Sequence, residues 1–396
     1  MSDSSTDKIC ALVIGGYVNG YSVIKELHNK GIENILVCDS SRSIASCSNK
    51  IASSIIVQET PESFLEMYRS LKKTYDYIVP FPTADRHLKI LNQIKLEIQS
   101  YSFLPFNEKN IEKCLDKTFQ YSVCKKAKIP YPKSISIKAP ENLGSVQNFS
   151  FPVVIKPSWI GQGGAKVFRT LVIENEEHLA QSYNMIKQIL GDGTELVMSE
   201  NIPGDDTNLY LYTCFRTREG KLLNEWTGKK LNQFPDRYGV FSSASNQAPM
   251  IIKEQGRKIV EELNLFGIIE PEFKYDARDR SYKLMEVTLR SSMPHRIGSL
   301  SGVKIQETQY RYATGQRITT YREKNDVKIH YLFFMHEISN LLSRKGYWKF
   351  FRHNIWGGEK RAWAVFEWND LYPFFYSLRL LIRQIIWALL VRFKFK

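Results

Sequence analysis

The sequence predicts an α/β protein in which a small amino-terminal βαβ domain precedes a larger domain of helices and antiparallel hairpins. Three observations predict this class. A short apolar run, 9–14, leads through a glycine turn into a helical pattern and a second strand, 34–39. A strand that ends in Lys156 runs directly into a glycine-rich stretch, 158–169. Farther along, two apolar runs flank the short polar segment 277–281, as the two strands of a hairpin do.

The first domain, predicted over residues 1–108, begins as a Rossmann-like unit. Its turn, GGYVNG at 15–20, can hold an anion on backbone N–H groups, so Gly16 and Asn19 are candidate substrate contacts. The spacing is not GxGxxG, and a tight turn without a ligand explains it equally well. Asp85 follows a later strand at the sheet edge where ligands bind, although a first-turn helix acid is the simpler interpretation.

The hairpin predicted over 268–276 and 282–290 carries the most informative polar residues. If its loop is centred in the polar segment, Glu272 lies opposite Glu286 on one face, with Cβ atoms about 5 Å apart. Two bare carboxylates at that distance repel each other, which indicates a divalent cation between them. Arg290 on the same face would then bind phosphate. By itself the stretch fits an ordinary hairpin with a polar outer face equally well.

Basic residues and glycines upstream favour a phosphate ligand. A glycine-rich loop lets the backbone approach a triphosphate closely, and Lys156 and Lys166 can add positive charge. A later loop, GKKLNQFPDRYG, contains Lys229, Lys230 and Arg237. Any one of these lysines is more often a solvated surface residue; the strand followed directly by the glycine loop is the more specific signal.

Taken together, these segments resemble the ATP-grasp carboxylate–amine ligases, in particular the carbamoyl-phosphate-synthase-like and D-aspartate-ligase-like branch. The resemblance covers roughly residues 10–300 and consists of motifs in a common order: DK at 116–117, FPVVIKP, the glycine loop, LVMSENIPGDD, GKKLNQFP and EFKYD…LMEVTLR. It implies an ATP-grasp domain over 109–330, with a lid at about 118–200. It also implies nucleotide contacts at Lys117, Lys156, Gly161, Gly163, Gly164, Lys166, Glu200, Ile202 and Asp205, with Asp206 as an alternative to Asp205.

The resemblance further implies ATP and one or two Mg²⁺ ions as cofactors, with Mn²⁺ as a substitute. Glu272, Glu286 and Thr288 would be the metal ligands, and Arg290 and Lys230 the catalytic cations. Thr288 departs from the family, which usually has Asn there; a hydroxyl is a weaker ligand than an amide oxygen, so a water can take its place. That departure leaves open an ATP-binding protein without ligase activity.

Beyond the hairpin, Ser291, Ser292, His295 and Arg296 can line an acceptor pocket. For His295 a structural role is the better interpretation, whereas Arg296 is expected to bind a substrate carboxylate or phosphate. The resemblance implies that a carboxylate is phosphorylated by ATP and that an amine then displaces phosphate to form an amide.

Charge is concentrated at the end of the chain. The formal net charge is +14, and the residues from 341 onward carry eleven Lys or Arg against three Asp or Glu. We predict that 331–396 is a basic, aromatic-rich helical extension whose last helix is amphipathic. Arg379 and Arg383, one turn apart, disfavour a membrane span and favour a helix lying in the membrane interface. Burial against the body or a partner is the alternative, and nucleic acid is disfavoured because no known binding fold accompanies the charge.

The six cysteines lack zinc-type spacing and several lie in apolar runs, so we expect a reduced, cytoplasmic protein. The basic, apolar tail adds the expectation that it is peripheral at the inner face of the cell membrane. The main hypothesis is a ligase acting there on cell-surface glycan or peptidoglycan precursors, with one substrate lipid-linked. The alternatives are a soluble amino-acid or dipeptide ligase whose tail forms a homo-oligomer, and a membrane-docked ATP-binding pseudoenzyme.

Overall fold

The computed structural model describes residues 8–158 and 168–394, with side chains as far as residue 386. The first elements, in chain order, are β1 (Ile9–Ile14), α1 (Val18–His28), β2 (Ile35–Asp39), β3 (Ser53–Ile56), α2 (Pro61–Leu71), β4 (Tyr77–Pro82), α3 (Asp85–Gln93) and α4 (Lys95–Ile98). The strands form a parallel sheet in the order β3-β2-β1-β4. Strand β1 is a continuous apolar run because its side chains enter hydrophobic clusters on both faces of this sheet.

The carboxyl ends of β1 and β4 lie side by side, with Ile14 paired with Pro82. The glycine turn follows the first of these strands, and Asp85 follows the second. Two loops that are about seventy residues apart in the chain therefore meet at one edge of the sheet.

A second, smaller unit follows. Its elements are α5 (Ile111–Cys114), α6 (Lys117–Ala127), β5 (Ser134–Ile137), β6 (Val153–Pro157), β7 (Leu171–Ile173), α7 (Glu176–Gly191) and β8 (Leu196–Glu200). The strands form an antiparallel sheet in the order β5-β8-β6-β7. This sheet and α7 enclose a hydrophobic cluster of their own, which includes Ile155, Ile186 and Met198. A unit with a separate core can move as one body against its neighbours.

The third unit contains β9 (Leu209–Arg216), β10 (Leu222–Phe234), β11 (Val240–Ser245), α8 (Met250–Glu262), β12 (Gly267–Asp276), β13 (Ser281–Thr288), α9 (Arg296–Leu300), α10 (Ile305–Ala313), β14 (Ile329–Leu332), α11 (Phe334–Ser343), α12 (Trp348–Trp356), β15 (Lys360–Trp363) and α13 (Tyr372–Lys394). Its strands form one sheet in the order β13-β12-β9-β10-β11-β14-β15. Short 3₁₀ turns lie at Ala45–Cys47, Pro140–Asn148, Asp206–Asn208 and Met293–His295.

The predicted hairpin is confirmed as β12 and β13, with Glu272 paired with Glu286. Side chains in its loop stabilise the turn: Asp276 accepts the backbone N–H of Arg278 at 3.0 Å, and Asp279 accepts that of Ser281 at 3.1 Å. At the start of β12, Gly267 has φ +96°, and a Cβ there would lie 2.4 Å from the carbonyl oxygen of Pro105. Only glycine therefore lets this hairpin pack closely against the amino-terminal domain.

The carboxyl-terminal region, predicted as a helical extension, also contains two strands. Strand β14 pairs antiparallel with β11, and β15 pairs parallel with β14, so this region extends the large sheet. The following segment is anchored by Asp370, which accepts hydrogen bonds from Tyr21 at 3.0 Å and Ser48 at 2.5 Å. Within the described residues, no helix is both long and apolar enough to cross a membrane.

Candidate active site

The centre of the candidate site is the paired face of β12 and β13. Glu272 lies opposite Glu286, and two residues along each strand Glu270 lies opposite Thr288. Residues two apart on a strand point to the same face, so these four side chains form one polar patch. All four border the same cleft.

Two lysines from other elements neutralise the central carboxylates. Lys230 of β10 places Nζ 2.5 Å from Oε2 of Glu272, and Lys117, at the start of α6, places Nζ 3.5 Å from Oε2 of Glu286. Burial alone would raise the pKa of Glu286, but the charges of Lys117, Lys156 and other cations lower it to about 2. Burial raises the pKa of Glu272, and Lys230 opposes that effect. Glu286 is thus the more firmly ionised member of the pair.

Lys156 lies in β6, on the sheet that faces the hairpin, and borders the same pocket as both carboxylates. Burial lowers its pKa to about 8, and the nearby Glu286 carboxylate opposes the shift. A buried lysine with a lowered pKa becomes charged most readily when an anion binds beside it.

The strand that ends in Glu200 forms the far wall of this pocket. The Glu200 carboxylate accepts hydrogen bonds from the backbone N–H of Lys133 at 3.0 Å, from Arg278 at 2.7 Å and from Lys283 at 3.0 Å. It therefore fixes the wall to the hairpin. Ile202, which is buried, lines the pocket directly after it.

The two aspartates that follow have different positions. Asp205 caps the next turn by accepting the backbone N–H of Thr207 at 2.9 Å, and it is not among the residues that border the pocket. Asp206 is buried and holds Gln233 through two hydrogen bonds of 2.8 and 2.9 Å. Because Gln233 Oε1 accepts a hydrogen bond from Lys230 Nζ at 3.2 Å, Asp206 positions Lys230 indirectly.

The cleft continues from the hairpin to the edge of the amino-terminal sheet. Arg290 crosses between the two, with Nε 2.7 Å from Oδ1 of Asp85. Asp85 is in the first turn of α3, as the simpler interpretation predicted, and it also borders the cleft. Asn19 donates from Nδ2 to the carbonyl oxygen of Thr83 at 2.8 Å. Gly16 borders the cleft as well, but its N–H already donates to Asp39 at 2.7 Å, so it is not available to an anion.

Arg296 is not among the residues that border the cleft, and its guanidinium lies 3.6 Å from Glu367, in the segment before α13. His295 is buried, and its Nε2 lies 2.9 Å from Oε2 of Glu270. Glu270 is a buried carboxylate at the cleft that sequence reasoning did not single out. The predicted nucleotide contacts Gly161, Gly163, Gly164 and Lys166 lie outside the described residues.

The donor set fits a hard divalent cation. Glu272 and Glu286 face each other and Thr288 adds a hydroxyl, which suits Mg²⁺ because this ion binds through one or two carboxylates together with substrate phosphates. Within 8–158 and 168–394 there is no cluster of three or more His, Cys, Asp and Glu side chains arranged as a complete metal cage.

Two sheets that enclose a lysine-lined pocket, closed at one end by paired carboxylates on a hairpin, are the arrangement of the ATP-grasp fold. The chain has this fold, and the predicted fold class is confirmed. No protein-family model matches the chain.

Comparisons with known proteins agree with this fold. The chain is 25% identical over 270 residues to a D-aspartate ligase of Enterococcus faecium (strain Aus0004), a match that covers 64% of this chain and 61% of that relative. It resembles the ADP complex of an N5-carboxyaminoimidazole ribonucleotide synthetase, with TM-score 0.64, 15% identity, and coverage of 85% of this chain and 84% of that one. It also resembles the biotin carboxylase domain of Hydrogenobacter thermophilus 2-oxoglutarate carboxylase with MgADP bound, with TM-score 0.62, 17% identity, and coverage of 80% and 71%.

Proposed function

We propose that this protein is an ATP- and Mg²⁺-dependent ligase that joins a carboxylate to an amine through an acyl-phosphate intermediate. One observation carries the proposal. The pocket lined by Lys156, Glu200 and Ile202 and the cleft that reaches the amino-terminal sheet share a wall formed by Lys230, Glu272 and Glu286. A nucleotide in the first and a carboxylate in the second would meet at that wall.

The residues have separate tasks in this proposal. Lys156 and Lys117 bind the phosphates of ATP, and the wall beside Ile202 receives the base. Arg290, held by Asp85, binds charge on the transferring phosphoryl group, and Lys230 neutralises the same region. Positioning and preorganised charge provide most of the catalysis, so no general base is required for the first step.

The metal would be held by Glu272 and Glu286, with the Thr288 hydroxyl or a water beside them. When bound, Mg²⁺ neutralises charge on the β- and γ-phosphates. In the protein alone the two carboxylates pair with Lys230 and Lys117, which keeps buried charge compensated until a nucleotide arrives. We propose that these lysines then turn to the phosphates.

The D-aspartate ligase relative makes an acidic amino acid the first carboxylate to test. The chain spans 61% of the length of that relative, so its activity and substrates belong to this proposal. The purified protein, with ATP, Mg²⁺, amino acids of both configurations and amine acceptors, should release ADP and phosphate and form an amide detectable by mass spectrometry. Nucleotide binding without turnover on any mixture would favour the pseudoenzyme.

We further propose that the reaction takes place in the cytoplasm, at the inner face of the cell membrane, on a cell-surface glycan or peptidoglycan precursor. The support lies near the carboxyl end. Of the seventeen exposed large hydrophobic side chains among those described, nine lie in residues 342–386, and these include every exposed tryptophan. On α13 the exposed positions Tyr372, Phe375, Arg379, Ile382 and Ile386 share one helical face. Apolar and basic side chains on one exposed face suit a membrane interface.

The membrane proposal predicts a defined loss of binding. Replacing Phe375, Ile382 and Ile386 with Ser should weaken co-sedimentation with phosphatidylglycerol-containing vesicles at least about tenfold, since each side chain loses a buried apolar contact with lipid. The matched control replaces Ile56 and Leu96, which are each 73% exposed on the amino-terminal domain, and should leave binding unchanged. Equal vesicle binding by both variants, or no binding by the parent protein, would contradict the proposal.

The lowered pKa of Lys156 gives a second prediction. At a pH of about 8.5 a lysine of pKa about 8 is mostly neutral, and the phosphates of ADP favour its charged form. Binding of ADP should therefore take up part of a proton at this pH, measured by titration calorimetry in buffers of different ionisation enthalpy. Lys156→Met should remove the uptake, and the exposed Lys109→Met should retain it. Proton uptake that persists in Lys156→Met would show that another group takes up the proton.

A further inference from the structure

Glu270 has no role in the mechanism proposed above, yet it is a buried carboxylate at the active-site cleft. It belongs to β12, two residues before Glu272 on the same face, and is only 4% exposed. It borders the cleft together with Arg290 and Ser292. Burying an ionised carboxylate costs free energy unless its oxygens accept hydrogen bonds. The groups that contact each oxygen of Glu270 therefore indicate what this side chain does.

The hydrogen-bond partners of Glu270 are unevenly distributed. Its Oε2 accepts from the hydroxyls of Thr213 at 3.0 Å and Ser292 at 2.9 Å, and Nε2 of His295 lies 2.9 Å away. In the described part of the chain, no residue donates to Oε1. Two hydroxyl hydrogen bonds thus hold one oxygen in position beside His295, while the other oxygen remains for a ligand in the cleft.

The kind of ligand that suits the remaining oxygen follows from the chemistry of a carboxylate. An ionised carboxylate accepts hydrogen bonds only, so the complementary ligand group is a cation or an N–H donor.

We propose that Oε1 of Glu270 binds the ammonium group of an amino acid whose carboxylate is the one phosphorylated, which rests on the ligase function proposed above. Arg290 and Glu270 then contribute opposite charges to one cleft, as a zwitterionic substrate requires. The ammonium is not the attacking amine, because that nitrogen must be neutral to react and an anionic partner stabilises its protonated form.

A second metal ion is the main competing occupant. Mg²⁺ at this position would have a single carboxylate oxygen and the hydroxyl of Thr288, whereas a protein site for this ion usually combines carboxylates with substrate phosphates. An ammonium group needs only one strong acceptor and further contacts to neutral oxygens, such as the hydroxyl of Ser292. The single available carboxylate oxygen therefore favours the ammonium.

The experiment isolates carboxylate activation from the amine acceptor by trapping the acyl phosphate with hydroxylamine as a hydroxamate. The probes are aspartate, glutamate and alanine in both configurations, each compared with succinate, glutarate or propionate, which lack the ammonium group. We expect kcat/KM for the preferred amino acid to exceed that for its analogue by at least about 10²-fold, because the analogue leaves a buried polar group unpaired. Equal use of both would overturn this inference and leave the ligase function intact.

Substitution of Glu270 tests the residue itself. Glu270→Gln should raise the KM for the amino acid by about 10–100-fold, reduce its preference over the analogue to under about tenfold, and leave the KM for ATP within about twofold. Glu262→Gln, at the exposed end of α8, is the matched control, because it makes the same change of charge away from the cleft, and it should keep the preference. If Glu270→Gln does not fold, Glu270→Asp and the preference of the parent protein provide the same comparison.

The remaining outcomes each decide against the inference. A Glu270→Gln variant that loses kcat equally for both members of a pair would show a structural role. A changed Mg²⁺ requirement with an unchanged amino-acid KM would show a metal ligand. If the parent protein forms neither hydroxamate nor ADP with any probe, the ligase function fails and this inference fails with it.

Discussion

Glu286→Gln is expected to lower the ligase turnover number by roughly 10³-fold while nucleotide still binds. The substitution keeps the shape of the side chain but removes the more firmly ionised carboxylate of the paired face. It also leaves Lys117, which is 5% exposed, without its ionic partner. ADP release in the presence of Mg²⁺ measures the turnover, and fluorescence or calorimetric titration measures nucleotide affinity.

Stability provides an internal check on this variant. The folded pKa of Glu286, about 2, lies below its ordinary value of 4.5, so its contribution to stability is present above pH about 4.5 and lost as the pH falls towards 2. Glu286→Gln should thus be less stable than the parent protein at neutral pH, with the difference shrinking in acid. The control is Glu261→Gln on the exposed face of α8. This variant should match the parent protein in turnover number and in the pH dependence of its stability. A turnover number within about tenfold of the parent value would contradict the proposal that Glu286 binds the metal.

Arg290→Met is expected to lower turnover by roughly 10²–10³-fold, because it removes the cation that links the hairpin to the amino-terminal domain in the cleft. Arg290→Lys should recover little of the activity, since a lysine cannot contact Asp85 and a phosphate through one planar group. Rates with saturating ATP and carboxylate measure the effect.

Asp85→Asn is the matched comparison for this pair. It keeps the Arg290 charge and removes only the carboxylate that orients it, so we expect a loss of about tenfold. If Arg290→Met turned over as fast as Asp85→Asn, the guanidinium would be a structural link between domains and not a catalytic cation.

The hairpin could be predicted from sequence because local patterns determine it. A period of two fixed which side chains share a face, and the polar segment fixed the turn, so the pairing of Glu272 with Glu286 followed directly. The same alternation places Glu270 beside them. Nothing local reveals that His295, Ser292 and Thr213 converge on its carboxylate, because β9 and the chain beyond β13 meet only in the folded protein.

Other features depended on tertiary contacts in the same way. The N–H of Gly16 is taken by Asp39, twenty-three residues away, which the composition of the turn does not reveal. Arg296 follows the site in sequence, yet its side chain turns to Glu367. Strands β14 and β15 have four residues each, too few for a pattern to distinguish them from the helices around them.

In the proposed reaction ATP phosphorylates a substrate carboxylate, and isotope transfer tests this step most directly. The preferred carboxylate, labelled with ¹⁸O in both oxygens, is incubated with ATP, Mg²⁺ and the amine acceptor or hydroxylamine, and the released phosphate is analysed by mass spectrometry. An acyl phosphate predicts one ¹⁸O atom in each phosphate and one in the amide or hydroxamate. Unlabelled phosphate, or AMP and pyrophosphate in place of ADP and phosphate, would contradict the account.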